Sequence, residues 1–187
     1  MKKLTYLFLA LLMILTTFSM NAQDPLKFSE VIIVDGNPSK SELYMRARTW
    51  FATIYVDSQE VIQFDDKDFG KVIGKGAILY NSSVFVGSDC TKGVIRYKLS
   101  IQVKEGRYKY EIANFIHEGN TLNCGDYSFG LITKALECPY KIRGGGKKWN
   151  NKVWIDIKKG VEIEGQLLAE SLKKAMNKVS EESNDDW

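Results

Sequence analysis

Residues 94–117 constrain this chain more tightly than any other stretch. Ile95, Tyr97, Leu99, Ile101 and Val103 alternate with Arg96, Lys98, Ser100 and Gln102, the period of a strand with one buried and one wet face. Glu105-Gly106 follows as a two-residue hairpin turn, and a turn of that length fixes the register. Val103 then faces Tyr108, Ile101 faces Tyr110, Leu99 faces Ile112 and Ile95 faces Ile116, all on one side. Asn114, opposite Tyr97, is the polar exception there. The other side pairs Gln102 with Lys109, Ser100 with Glu111, Lys98 with Ala113 and Arg96 with Phe115. His117 falls on that polar side, opposite Val94. A slip of one residue would mix the two faces, so the pattern predicts an antiparallel platform.

The flanking segments supply what the oily side of such a platform needs. Phe28–Val34 reads as a strand that stops at the turn cluster Asp35-Gly36-Asn37-Pro38. Ser39 and Glu42 have capping-box spacing, and Leu43, Ala47, Trp50 and Ile54, widened by Tyr44 and Phe51, form a helical stripe. Val61–Asp65 and Lys71–Tyr80 read as strands around an Asp-rich turn, with Gly74 and Gly76 marking a bulge or bend. From about Asn120 to Trp149 the chain is irregular, with a short helix or strand at Phe129–Leu136. A loop of that length is either functional or ordered by its own packing. Val153–Ile157 reads as a last strand. Leu168, Leu172, Ala175 and Val179, flanked by Leu167 and Met176, then predict an amphipathic helix. The expected fold is α+β: a curved, mainly antiparallel sheet with two helices packed on one face, in the order β-α-β-β-β-β-α.

Residues 1–22 have a different character. Lys2 and Lys3 precede an apolar run from Leu4 to Leu15, and Ala22 offers a small residue for cleavage, the layout of a secretory signal peptide. The run is shorter than the roughly 20 residues that span a bilayer. The mature chain is therefore expected to carry no transmembrane segment. It is expected to be soluble in the periplasm or outside the cell, and not lipidated, since the leader holds no cysteine. Residues 23–182 are expected to form a single α+β domain, with 183–187 a frayed acidic tail. Loss of Lys2 and Lys3 leaves 24 of the 26 basic residues against 23 acidic ones. So small a net charge gives no field for nucleic acid, which is not expected as a partner. An exported compartment permits disulfides, and three cysteines are present. Cys90 and Cys124 both fall at the open end of the hairpin, which favours a Cys90–Cys124 bridge; Cys124–Cys138 is the alternative.

No chemical constellation stands out. His117 is the one histidine, and no motif ties it to a nucleophile or a carboxylate. The three cysteines and His117 lack zinc spacing. The Asp65–Gly76 stretch fails the calcium-loop pattern, because Lys67, Phe69 and Gly76 hold ligand positions. Gly144-Gly145-Gly146-Lys147-Lys148 lacks the first glycine and the hydroxyl of a phosphate-binding loop. The reading is of a non-enzymatic protein without a cofactor. Its candidate partner-binding face is the wet side of the hairpin: Arg96, Lys98, Gln102, Lys109, Glu111 and Phe115. The partner expected is an envelope protein, a peptide or a glycan. The alternative is a carrier of a small apolar ligand, with a cavity between sheet and C-terminal helix lined by Trp50, Tyr97, Tyr108 and Tyr110.

Several of these stretches resemble a family of exported domains of unknown function from Bacteroidota. They are Ser39-Lys40-Ser41-Glu42-Leu43-Tyr44 leading to Trp50, and Val61-Ile62-Gln63 with Asp66, Lys67 and Gly70 before Val72-Ile73-Gly74-Lys75-Gly76. Tyr108, Tyr110, Glu111, Ile112, Asn114 and Phe115 complete the set. The resemblance covers roughly Phe28 to His117 and, loosely, the last helix. It implies a fold like that of the TATA-binding protein and a location in the envelope. It implies no activity and no catalytic residues, and likeness of topology does not carry function.

Overall fold

The computed structural model describes residues 24–84, 89–120, 127–142 and 145–178. The leader at 1–22, the tail at 183–187, Cys124, Gly144 and Val179 lie outside the described residues. The elements run β1 (Phe28–Ile33), α1 (Lys40–Ile54), α2 (Ser58–Val61), β2 (Ile62–Asp66), β3 (Lys71–Tyr80), β4 (Gly93–Lys104), β5 (Arg107–Gly119), β6 (Gly130–Leu131) and α3 (Lys147–Met176). The sheet is antiparallel in the order β1-β5-β4-β3-β2, and β6 pairs with β5 beyond the end of β1. The architecture is the expected α+β arrangement, with a one-turn helix and a two-residue strand added.

The capping prediction for α1 holds. The Ser39 hydroxyl accepts from the Glu42 amide at 3.1 Å, satisfying one of the amides that a helix start leaves unpaired. Leu43, Tyr44, Ala47, Trp50 and Phe51 are buried, and removing each large apolar side chain from water contributes about 1.5–3 kcal/mol. On β3 the facing positions are Gly74 and Gly76. A Cβ on Gly74 would overlap the Phe51 ring, and one on Gly76 the Tyr97 ring. The glycines make room for aromatics and do not bend their strand, since β3 pairs with β4 over all ten residues without a shift. The irregularity lies in β2 instead, between Ile62 and Phe64.

Helix α3 corrects the C-terminal prediction. Val153–Ile157 lies in its second and third turns and is not a strand; its branched residues suit a strand, but Val153, Trp154, Ile157 and Val161 fall on one helical face and are buried. The face continues through Gly165, Ala169, Leu172 and Met176. Leu167, placed in the stripe by sequence, is 53% exposed. The irregular stretch before α3 is ordered on the sheet: Phe129, Ile132 and Ala135 are buried, and the Ile132 amide donates to the Phe115 carbonyl at 2.7 Å.

The hairpin keeps its predicted register from Lys104–Arg107 to Lys98–Ala113 and then shifts by one. β5 carries an extra residue at Asn114, whose backbone is left-handed with φ of 58°, a conformation Asn tolerates better than most residues. Past this bulge each side chain of β5 changes face. Arg96 faces Ile116 rather than Phe115, and Ile95 faces His117 rather than Ile116.

Candidate functional site

The side of the sheet turned away from α1 and α3 is open to water. Pairing aligns its side chains in rows: Lys71–Gln102–Lys109–Val31, Ile73–Ser100–Glu111–Ser29, Lys75–Lys98–Ala113 and Ala77–Arg96–Ile116. Lys104 and Arg107 end the face at the turn. Seven cationic side chains thus share it with three carboxylates, Asp66, Glu111 and Glu118. Arg96 bonds Glu118 at 2.8 Å, whereas Lys71, Lys75, Lys98, Lys104, Arg107 and Lys109 form no ion pair among the described residues. Lys75 lies directly opposite Lys98, and Lys104 opposite Arg107. Like charges so placed repel, and none of these four forms an ion pair among the described residues.

Of the predicted face, Arg96, Lys98, Gln102 and Lys109 are exposed on this side and Glu111 is half-buried there. Phe115 is not part of it. The bulge turns it into the core, fully buried against Phe28 and Tyr97 at ring distances of 5.9 and 5.7 Å. Ile116 takes its place outside, 40% exposed. Sequence reasoning missed Lys71 and Lys75, although their spacing on β3 is even. It also passed over Lys104 and Arg107 beside the turn. Pairing β3 with β4 was the missing step.

The same bulge corrects His117, which is not solvated but enclosed. Its ring packs edge-on to Tyr80 and Phe129, and Nδ1 accepts from the Phe129 amide at 3.2 Å. The neutral ring therefore carries its proton on Nε2. Burial lowers its pKa to about 4, against weaker opposing pulls from the Thr91 backbone and Glu118. Trp50, Tyr97, Tyr108 and Tyr110, the predicted cavity lining, are buried members of the core. Cys90 is disulfide-bonded and Cys138 is a free thiol, which removes the Cys124–Cys138 alternative. Among the described residues no group of His, Cys, Asp and Glu is placed to hold a metal ion.

Two of the open grooves among the described residues bear on the site, one at the sheet edge and one between the helices. One, of about 710 Å³, lies where Tyr55–Val61 passes the edge of β3; Lys75, Ala77, Lys98 and Ile116 form its sheet side. At its floor the Tyr55 and Tyr97 hydroxyls are 2.8 Å apart, and burial raises the pKa of both. The other, of about 580 Å³, runs between α1 and α3 beside Trp50, whose indole donates to Ser171 at 3.1 Å.

Comparison with known proteins agrees with this architecture. Residues 28–118 match the model of DUF4468, a domain of unknown function with a TBP-like fold. That segment, just under half of the chain, is similar to this domain family. A TBP-like protein from Parabacteroides distasonis superposes with a TM-score of 0.55 at 14% identity, covering 80% of this chain and 93% of its own. A DUF4468 family protein from Bacteroides ovatus gives 0.52 at 15% identity, with 84% and 94% covered. At such identities the likeness is one of fold. No curated protein sequence matches the chain. The DUF4468 match ends at Glu118, so α3, which completes the core, lies beyond the matched segment.

Proposed function

We propose that this protein is exported and acts without catalysis, holding a partner protein, peptide or glycan on the outer face of its sheet. The observation that carries this reading is the set of six exposed or half-buried cations on that face that form no ion pair among the described residues. A face kept open and charged at a cost in self-repulsion is suited to a partner that supplies the missing sign. The enclosure of the sole histidine, with Nδ1 already occupied, supports a binding role over a catalytic one. Export rests on the leader sequence. No helix among the described residues is long and apolar enough to cross a membrane.

Site-specific photo-crosslinkers at Gln102 and Lys109, on the sheet, and at Glu162 and Lys174, on α3, test the reading in intact cells. Adducts from the sheet positions that weaken on Lys98→Glu are expected. Equal adducts from both faces, or none from the sheet, would sink it. N-terminal sequencing of the cell-envelope product is expected to begin at Gln23; an intact leader on a cytosolic product would remove the export half.

A further inference from the structure

The two strands that flank β4 are not equally covered along their outer edges. The outer edge of β5 is taken by β1 up to Ile112 and by β6 at Ile116 and His117. The outer edge of β3 is taken by β2 only from Lys71 to Gly74. From Lys75 to Tyr80 the main chain of β3 has no strand beside it among the described residues, and no hydrogen bond to any group other than its β4 partners. This is the edge bordered by the 710 Å³ groove.

We propose that this edge is a docking site for an extended, acidic peptide segment of a partner protein, which adds to the sheet as a further strand beside β3. The inference rests on the partner-binding reading above and names the partner's chemistry. Alternating amides and carbonyls on an open edge are best satisfied by another extended backbone. The side chains of β3 then dictate the sequence that fits. A residue placed opposite Lys75 on the outer face meets Lys75 with Lys98 directly behind it, and Ala113 follows in the same row. A carboxylate there relieves the like-charge contact. Two positions along, the row is Ala77–Arg96–Ile116, and two further is Leu79, which is 83% exposed; both favour an apolar residue. The segment read is thus acid, spacer, apolar, spacer, apolar. Val56, fully exposed on the opposite rim, extends the apolar part. Asp57 on that rim is engaged in capping α2, which leaves Glu60 as its one free carboxylate. Lys75 also penalises an apolar edge from a second copy of this chain, so the charge selects a foreign acidic strand over self-association.

The probes are the heptapeptide Thr-Val-Thr-Val-Thr-Glu-Thr, the same sequence in reverse order, and both with Glu replaced by Lys. Titrated into the ¹⁵N-labelled protein, one Glu peptide is expected to shift and protect the amides of Lys75–Tyr80. It is expected to bind about tenfold more tightly than its Lys counterpart, the sum of one attraction gained and one repulsion avoided. Lys75→Glu is expected to reverse that preference, and far-ultraviolet circular dichroism confirms that the variant folds. Equal binding of Glu and Lys peptides, shifts confined to other surfaces, or no shift up to about 1 mM peptide overturns the inference. Peptide failure with sheet-face cross-links intact removes this site alone; loss of those cross-links removes the broader reading as well.

Discussion

Between pH 6.5 and about 4 the unfolded imidazole of His117 holds a proton that the folded one refuses. The unfolded state then binds more protons, so stability is full above pH 6.5 and falls as the pH drops toward 4. A shift of this size corresponds to about 3 kcal/mol. Urea unfolding at pH 7 and pH 4.5 is expected to show most of that loss, and His117→Phe is expected to flatten it. An unchanged slope in the variant would mean that other groups carry the acid sensitivity. Asn114 is the second residue on which the local structure turns. Asn114→Val forces a branched side chain into left-handed backbone and is expected to cost about 1–2 kcal/mol, whereas Asn114→Gly is expected to be nearly neutral. A neutral valine variant would place the bulge elsewhere. Both residues were misplaced by reading the alternation straight through Asn114. One signal was present: a polar residue, tolerant of that backbone, in an otherwise apolar row. A bulge leaves the pattern intact on either side and changes only its phase, so no count of alternating residues detects it.

At the scale of elements, α1 was legible because cap, stripe and partner face all agree at Ser39, Leu43, Ala47 and Trp50. Ser39→Ala is expected to cost about 1 kcal/mol in thermal or urea unfolding. The last helix was less legible. Its first half is rich in Val and Ile, and whether such a run becomes strand or helix is decided by the surface it meets, here β5, β1 and α1. The observed face predicts that Ile157→Ala costs about 2–4 kcal/mol while Leu167→Ala stays within about 0.5 kcal/mol. Similar losses for the two would restore the face drawn from sequence. The long strand β3 was placed correctly, but its glycines were assigned to backbone shape when side chains of α1 and β4 explain them.

For the whole molecule, near-neutral composition conceals an uneven distribution. The sheet face gathers seven cations to three carboxylates, a segregation visible only once β3, β4 and β5 are aligned. Its self-repulsion is screened by salt. Stability is therefore expected to rise by a few tenths of a kcal/mol between low and physiological ionic strength. A Lys75→Glu, Lys104→Glu variant is expected to be more stable than the parent at low salt by roughly 0.5–1 kcal/mol, while losing partner adducts. A variant no more stable than the parent would show that the opposed lysines already lean apart into solvent.

The first strand and the last helix hold one another. A Cβ on Gly165 would overlap the Phe28 ring, and Lys173 reaches Glu30 at 2.5 Å. β1 pairs with β5, some eighty positions later, and its inner side is roofed by α3. A growing polypeptide can thus assemble the central hairpin early, yet its core stays unsealed until Met176 has been synthesised. Molecules truncated before that point should expose their aromatic interior, which makes proteolytic clearance, rather than partial activity, the fate of an interrupted chain.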